Sequence, residues 1–464
     1  MTTQNRPLDV QKFIDDNKFS RFQWLVFAVS FLVILLDGFD TAAIGYIAPS
    51  LLKEWGIAKP QLAPVLSAAL AGLAVGAVLI GPFADRFGRK YLLTGAVALF
   101  GVASLASTTS GSLDELVIWR FVTGLGLGAA MPLAVTLASE FAPTRRRAVL
   151  TSAMFTGFPL GAALGGFLAA WMIPHWGWRS VLELGGVLPI VLALFMLFTL
   201  PESVRYLVAR GAPAERIRAV LARISASIGK AERFVLGETV VAKVANDQGK
   251  SGVALILSRS YVVGSAMLWL TYGMGIVIFY ALINWMPILL KDAGLEPQTA
   301  LLVTSLFPLG GVGAIAFGLL MDKFNANRVI MIGYLITAAC VYAIGQVAGN
   351  LGWLVVMVFV GGAVMNTTQT SMPALAAAFY PTAGRATGVA WMMAIGRIGA
   401  VAAPFLVAEL QRRHFDFAQI FAVLAIPGVI AAIALFVKNA SHPEKSVADA
   451  EPDEAPAVPV TSQS

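Results

Sequence analysis

Twelve apolar stretches, each long enough to cross a lipid bilayer, leave this chain few folds to choose from. They lie near 22–48, 60–83, 91–110, 115–140, 147–172, 179–200, 261–288, 299–321, 328–346, 352–378, 386–409 and 417–438. A spanning helix needs about 20 predominantly apolar residues. Within hydrocarbon only helices and closed barrels satisfy their own backbone hydrogen bonds. Stretches of this length read as helices, so the expected class is an all-α membrane protein. Composition agrees. The chain is 58% hydrophobic and 13% charged, against about 45–50% and about 25% in soluble domains.

The one long polar interruption, 201–258, divides the spans six and six. The expected organisation is a cytoplasmic N-terminus (1–21), a six-helix bundle (22–200), a cytoplasmic linker (201–260), a second bundle (261–438) and a disordered tail (439–464). Within the linker, Ala212 to Lys250 reads as amphipathic helices with Arg-rich faces. The N-terminus shows no short apolar core before a small-residue cleavage site, so no cleavable signal peptide is expected. Lys and Arg are biased between the two sides. With both termini inside, 25 of the 33 fall on the cytoplasmic side and six opposite, and Arg120 and Arg397 fall inside spans. That bias places both termini in the cytoplasm. It also accounts for the net charge of +7 without a nucleic-acid partner. The single cysteine, Cys340, allows no internal disulfide. No Cys/His cluster has metal spacing and no nucleophile–base pair is evident, so neither a metal, a cofactor nor an enzyme is expected.

The halves repeat. "LASEFAPTRRRA" (137–148) matches "LAAAFYPTAGRA" (375–386) at seven of twelve positions, 238 residues apart. "GPFADRFGRK" (81–90) faces "GLLMDKFNAN" (318–327) at 237, and Pro49 and Pro287 stand 238 apart. Parallel six-helix halves around a midplane site are a transporter architecture.

Four motifs carry a family resemblance. "GPFADRFGRK" resembles the loop between the second and third helices of the major facilitator superfamily, and "RFVTGLGLGAAMP" (120–132) its fourth-helix pattern. "PESVRYL" (201–207) resembles the motif closing the sixth helix in several of its families. "LDGFDTAAIGYIAPSL" (36–51) resembles the first-helix signature of the aromatic acid:proton symporter family. The resemblance implies twelve transmembrane helices in two parallel-related bundles, alternating access, and a monomer in the bacterial inner membrane. It further implies import of an aromatic acid anion with protons. The second-half loop keeps Asp322 and Lys323 but lacks the basic end.

The polar groups inside spans are the site candidates. A charge at mid-bilayer costs at least about 2.5–3.5 kcal/mol on insertion scales. Asp37 and Asp40 share one helix face and suit proton carriage. Arg120 lies at similar depth to Asp40, and the resemblance sets their helices side by side, so the two form a candidate proton-coupling pair. The alternative is a permanent salt bridge. Arg397 has Pro159 as its repeat counterpart, so the first half lacks such a charge. Its guanidinium fork suits a substrate carboxylate, the alternatives being a pairing with a cluster of carbonyls or with Glu409. Asp40, Phe39, Tyr46, Trp285 and Trp391, with the amides Asn284, Asn366 and Gln369, complete the candidate binding set. Among other aromatics nearby, Trp269, Tyr272 and Tyr280 read chiefly as packing.

Asp85, Arg86, Gly88, Arg89, Glu140, Arg147 and Asp322 match gating positions that the resemblance implies. Glycines 72, 76, 81, 124, 126 and 128 suit close helix approach. Glu183 in the sixth span has no assigned role; a cytoplasmic loop network and a protonated carboxyl are the alternatives. The favoured function is proton-driven import of a benzoate or hydroxybenzoate. A carrier of another organic acid such as muconate, a sugar carrier and a transporter-like sensor stand as alternatives.

Overall fold

Ser20 opens the longest helix with a capping box, its hydroxyl accepting from Gln23 N while the Gln23 side chain returns to the Ser20 backbone. Gly56, in the left-handed region at φ 62°, closes it. The computed structural model describes residues 7–228, 231, 233–236, 252–313 and 325–441, and the backbone alone at 82, 85, 148, 382 and 383.

The first bundle comprises α2 (Arg21–Trp55), α3 (Ala63–Phe87), α4 (Arg89–Thr108), α5 (Leu113–Glu140), α6 (Thr144–Phe155), α7 (Gly157–Trp176) and α8 (Arg179–Thr199), preceded by the short α1 (Val10–Asp16). Then come α9 (Val204–Ala209), α10 (Ala214–Ala222) and α11 (Gly252–Ile256). The second bundle holds α12 (Val262–Asp292), α13 (Pro297–Leu309), α14 (Ala326–Gln346), α15 (Leu351–Phe379), α16 (Thr382–Arg412) and α17 (Phe417–Ser441). Eleven helical stretches among the described residues are long and apolar enough to cross a membrane. The eighth predicted span runs as α13 into a 3-10 turn, Gly310–Gly313, and its remainder lies outside the described residues.

The fifth predicted span is not one helix but two, broken at Thr156. Pro159 offers no N–H to the carbonyl of Phe155, four residues back, which breaks the ladder there. Of the helices expected between Ala212 and Lys250, the described residues show the α-helix α10, with Ile217 and Leu221 buried; α9 precedes that stretch and α11 follows it. Residues 237–251 and the tail from 442 lie outside the described residues.

Backbone-to-backbone packing binds α3 to α5, where a Cβ on Gly72, Gly76, Gly124 or Gly128 would overlap the facing main chain. Gly126 packs on α4 instead, and Gly81 meets nothing. Between bundles, α2 meets α12, α7 meets α13, and α3 meets α16. The last two contacts pair fifth with eighth and second with eleventh spans, and a two-fold exchange of the repeats interchanges them.

The C-terminal ends of α2 and α12 meet at one face, where Lys59 Nζ sits 2.6 Å from Asp292 Oδ2. We call this the distal face. The basal face is the opposite one, where α1 packs beneath the α5–α6 turn. Toward the distal face both helices are buried without interruption, from Leu36 to Pro49 and from Val277 to Leu290. Toward the basal face, burial on both becomes intermittent. Ser67 donates to Val401 O at 2.9 Å between the bundles. Among the described residues, these contacts join the bundles at the distal face.

Residues 8–16 of the N-terminal arm are structured, which their polar sequence did not suggest. Leu8–Asp9 pairs in parallel with Phe234–Val235, and Asp15 accepts from the backbone and hydroxyl of Thr144 at 2.7 and 2.8 Å.

Candidate functional site

Asp40 and Arg120 are both fully buried within the first bundle. Arg120 Nη1 donates to Asp40 Oδ1 at 3.1 Å, and Nη2 lies 2.9 Å from Oδ2. Nη2 also reaches the Asp40 carbonyl at 3.0 Å, and Ser104 Oγ donates to Oδ1 at 3.0 Å. An ion pair with one direct hydrogen bond, and a hydroxyl on the same oxygen, offsets part of the cost of charges that hydrocarbon would not solvate. Ser104 was not anticipated, because a lone serine in an apolar span gives no signal.

Asp37, one turn toward the basal face, is equally buried but differently placed. Its Oδ1 accepts from Thr41 at 3.2 Å, and its Oδ2 has no hydrogen-bond partner. It lies within electrostatic reach of both Asp40 and Arg397, which belongs to the second bundle. Arg397 Nη1 donates to Leu73 O across the bundle interface at 3.3 Å. Glu409, the alternative partner, is taken by Arg412 and Arg413, each at 2.7 Å.

Tyr272 and Tyr280 lie within electrostatic reach of Arg397, and Tyr280 also of Asp37. Gln369 donates to Tyr272 O at 3.3 Å and accepts from Tyr334 at 2.8 Å. Asp37, Arg397, Gln369, Tyr272 and Tyr280 thus form one group where the bundles meet. Tyr334, which orders Gln369, was missed because a tyrosine in an apolar run reads as packing.

The other candidates are dispersed. Tyr46 donates to Ala162 O at 2.9 Å inside the first bundle. Phe39 packs between Gly165 and Gly185, also inside that bundle. Asn366 ties α15 to α13 through Phe307 O at 3.2 Å. Trp391 is exposed and stacks on Trp269 with centroids 5.9 Å apart. Asn284 and Trp285 are buried in the closed distal half, and neither the carboxamide nor the indole Nε1 has a hydrogen-bond partner there.

At the basal end, Gly88 turns the chain at φ 87°. Glu202 Oε1 accepts from Arg89 N at 2.8 Å and Lys90 N at 3.2 Å, closing the start of α4. A carboxylate there meets both orphan N–H groups and the positive end of the helix dipole. Glu202 stands in "PESVRYL", where its cap role was not read. Arg89 Nε lies 3.6 Å from Glu140. The Arg86 carbonyl accepts from Tyr206 and Arg210, both at 3.0 Å. Arg147 donates to Gln11 at 2.8 Å and so is held by the N-terminal arm. The Asp85 side chain and Asp322 lie outside what is described. Glu183 is exposed one turn from the distal end of α8, so it faces no basal loop network.

Comparison with known proteins follows the same lines. The Major Facilitator Superfamily model matches residues 30–319 and again 268–463. The chain is 46% identical to the 4-hydroxybenzoate transporter PcaK of Pseudomonas putida, over 94% of this chain and 96% of that protein. It is 42% identical to the gallate transporter of Pseudomonas putida, over 93% and 95%. In fold it resembles the partially occluded inward-open xylose transporter XylE from E. coli, with a TM-score of 0.70, 22% identity and coverage of 90% and 98%. With this family match and these relatives, the chain belongs to the Major Facilitator Superfamily, in the subgroup of aromatic acid transporters.

Proposed function

We propose that this membrane transporter imports an aromatic carboxylate of the hydroxybenzoate class together with protons, by alternating access. The observation that carries the reading is the placement of Arg397 at the bundle interface, within reach of Asp37. It offers a guanidinium fork for the carboxylate beside a carboxylate with a free oxygen for the proton. Tyr272, Tyr280 and Gln369 supply ring faces and polar edges around them. The names of the 4-hydroxybenzoate and gallate transporters support the substrate class.

The Lys and Arg bias makes the basal face cytoplasmic, with both termini inside a bacterial inner membrane. The arrangement described is then inward-facing. Asp40 and Arg120 hold α2 to α5, and protonation of Asp40 would loosen that pair, coupling the proton to helix movement. When the distal face opens, Asn284 and Trp285 gain access to water or substrate, relieving the roughly 1–3 kcal/mol that each unpaired buried group costs. The basal set of Asp85, Arg86, Gly88, Arg89, Glu140, Arg147 and Asp322 would latch the inner side in the opposite state. The protein works as a monomer and draws on the proton gradient without a cofactor.

Proteoliposome uptake of labelled 4-hydroxybenzoate tests this. An imposed inward proton gradient should drive accumulation, and Arg397→Ala should abolish it. Uptake that persists unchanged when the gradient is collapsed would refute the coupling.

A further inference from the structure

A cavity of about 230 Å³ opens on the distal face between the bundles. Pro49, Leu52, Ile57 and Ile288 give it apolar walls, and Lys53, Lys59, Lys291 and Asp292 give it charge. Sites for drug-sized ligands occupy about 300–1,000 Å³, so this one suits a single-ring molecule.

The distal face carries six cations. Arg179 pairs with Glu54 at 2.7 Å, and Arg412 and Arg413 share Glu409. Lys59 pairs with Asp292 across the bundles. That leaves Lys53 and Lys291, which have no ion pair among the described residues, and both line the same cavity. One comes from each bundle, at the ends of α2 and α12. The ammonium groups and the apolar wall together match a flat apolar anion, which neither a polyol nor a cation would. Pro49 lies twelve residues beyond Asp37 on α2, about 18 Å at 1.5 Å per residue. The cavity thus stands above the buried group formed by Asp37 and Arg397, separated from it by the unbroken buried lengths of α2 and α12.

We infer that this vestibule is a second binding site, which takes an aromatic monocarboxylate between Lys53 and Lys291 and holds it at the closed outer mouth. The substrate class rests on the function proposed above, but the site itself rests on the cavity and its two free ammonium groups. The binding is weak and salt-sensitive, because both lysines touch solvent and exposed charges are screened within about 8 Å at physiological ionic strength.

Benzoate binding to the purified full-length protein in nanodiscs, followed by saturation-transfer NMR, separates the two sites. Arg397→Ala should retain a weak mode that fades as salt rises. Adding Lys53→Gln and Lys291→Gln should weaken that mode about fivefold or more, the scale expected of exposed ion pairs. Adding Lys53→Arg and Lys291→Arg instead should preserve it, which shows that charge and not folding is being read. If Arg397→Ala protein binds no benzoate, or binds it equally with both lysines replaced by Gln, the vestibular site is overturned. A salt-sensitive mode in a protein that transports no aromatic acid would sink the proposed function and leave this site standing.

Discussion

Asp37 and Asp40, three residues apart on α2, answer to different partners. Asp40 is enclosed by Arg120 and Ser104 within the first bundle, while Asp37 has Thr41 as its hydrogen-bond partner and lies within reach of Arg397 on the second. Their neutralising substitutions should therefore separate. Asp40→Asn strands a buried guanidinium and should destabilise the fold by about 3–5 kcal/mol. Asp37→Asn keeps the contact with Thr41 and should stay within about 1 kcal/mol of the parent, yet lose proton-driven accumulation while retaining counterflow exchange. Thermal unfolding with paired uptake and counterflow measurements decides it, and equal losses of stability in the two variants would contradict the split.

Closure of the distal face depends on Gly45. A Cβ there would stand 2.6 Å from Ile283 O and 2.9 Å from the Asn284 Cα, both main-chain atoms of the other bundle. Main chain cannot swing aside as a side-chain tip can, so Gly45→Ala should favour the state in which α2 and α12 part. Spin labels at Trp176 and Leu295, in a Cys340→Ser background, should report longer separations than in the parent by double electron–electron resonance. An unchanged distance distribution would show that the closed face tolerates the methyl group.

Much of this was legible in the sequence, for definite reasons. The bilayer forces each span into a helix, so apolar length alone located the spans. The candidacy of Asp37 and Arg397 follows from charges that occur in one repeat and not the other. Contacts made by ordinary residues were not legible. Ser104 and Tyr334 look like their apolar surroundings until Asp40 and Gln369 are placed beside them. Phe39, adjacent to Asp40, packs on Gly165 and on Gly185, whose neighbours also include Asp40 and Ser104. The break at Thr156 has a local cause in Pro159, three residues on, but it lies inside a continuous apolar stretch whose length reads as one span. The docked N-terminus depends on side chains far away in sequence, which no local pattern reveals.

The start of α4 rests on Gly88 and Glu202 together. Gly88 has φ 87°, a region that disfavours side chains, and a Cβ there would overlap the Glu202 carboxylate. Gly88→Ala should cost about 1–3 kcal/mol from the backbone alone, and more with the displaced cap. Glu202→Ala should cost about 0.5–2 kcal/mol. Since both act on one contact, a double-mutant cycle by chemical denaturation should return less than the sum. Strict additivity would mean that Glu202 does not cap α4.

Anchorage of the N-terminal arm should depend on pH through Asp15. Partial burial pushes its carboxyl up, but hydrogen bonds from the Thr144 backbone and hydroxyl and from Gln11, with Arg147 nearby, outweigh that and hold it below its ordinary value of 3.8. A carboxylate held lower in the folded state than in the released arm stabilises docking at all pH values above the released value. That contribution is lost as pH falls through the lower, docked value. Docking should therefore be constant through the neutral range and weaken only below about pH 4. The effect is modest because the carboxylate is largely exposed and screened. Hydrogen exchange of the Thr144 amide, which donates to Asp15 at 2.7 Å, reads this directly. Its protection should drop in acid for the parent, whereas Asp15→Asn should show lower protection that no longer varies with pH. An Asp15→Asn protein with the parental profile would place the anchor elsewhere in the arm.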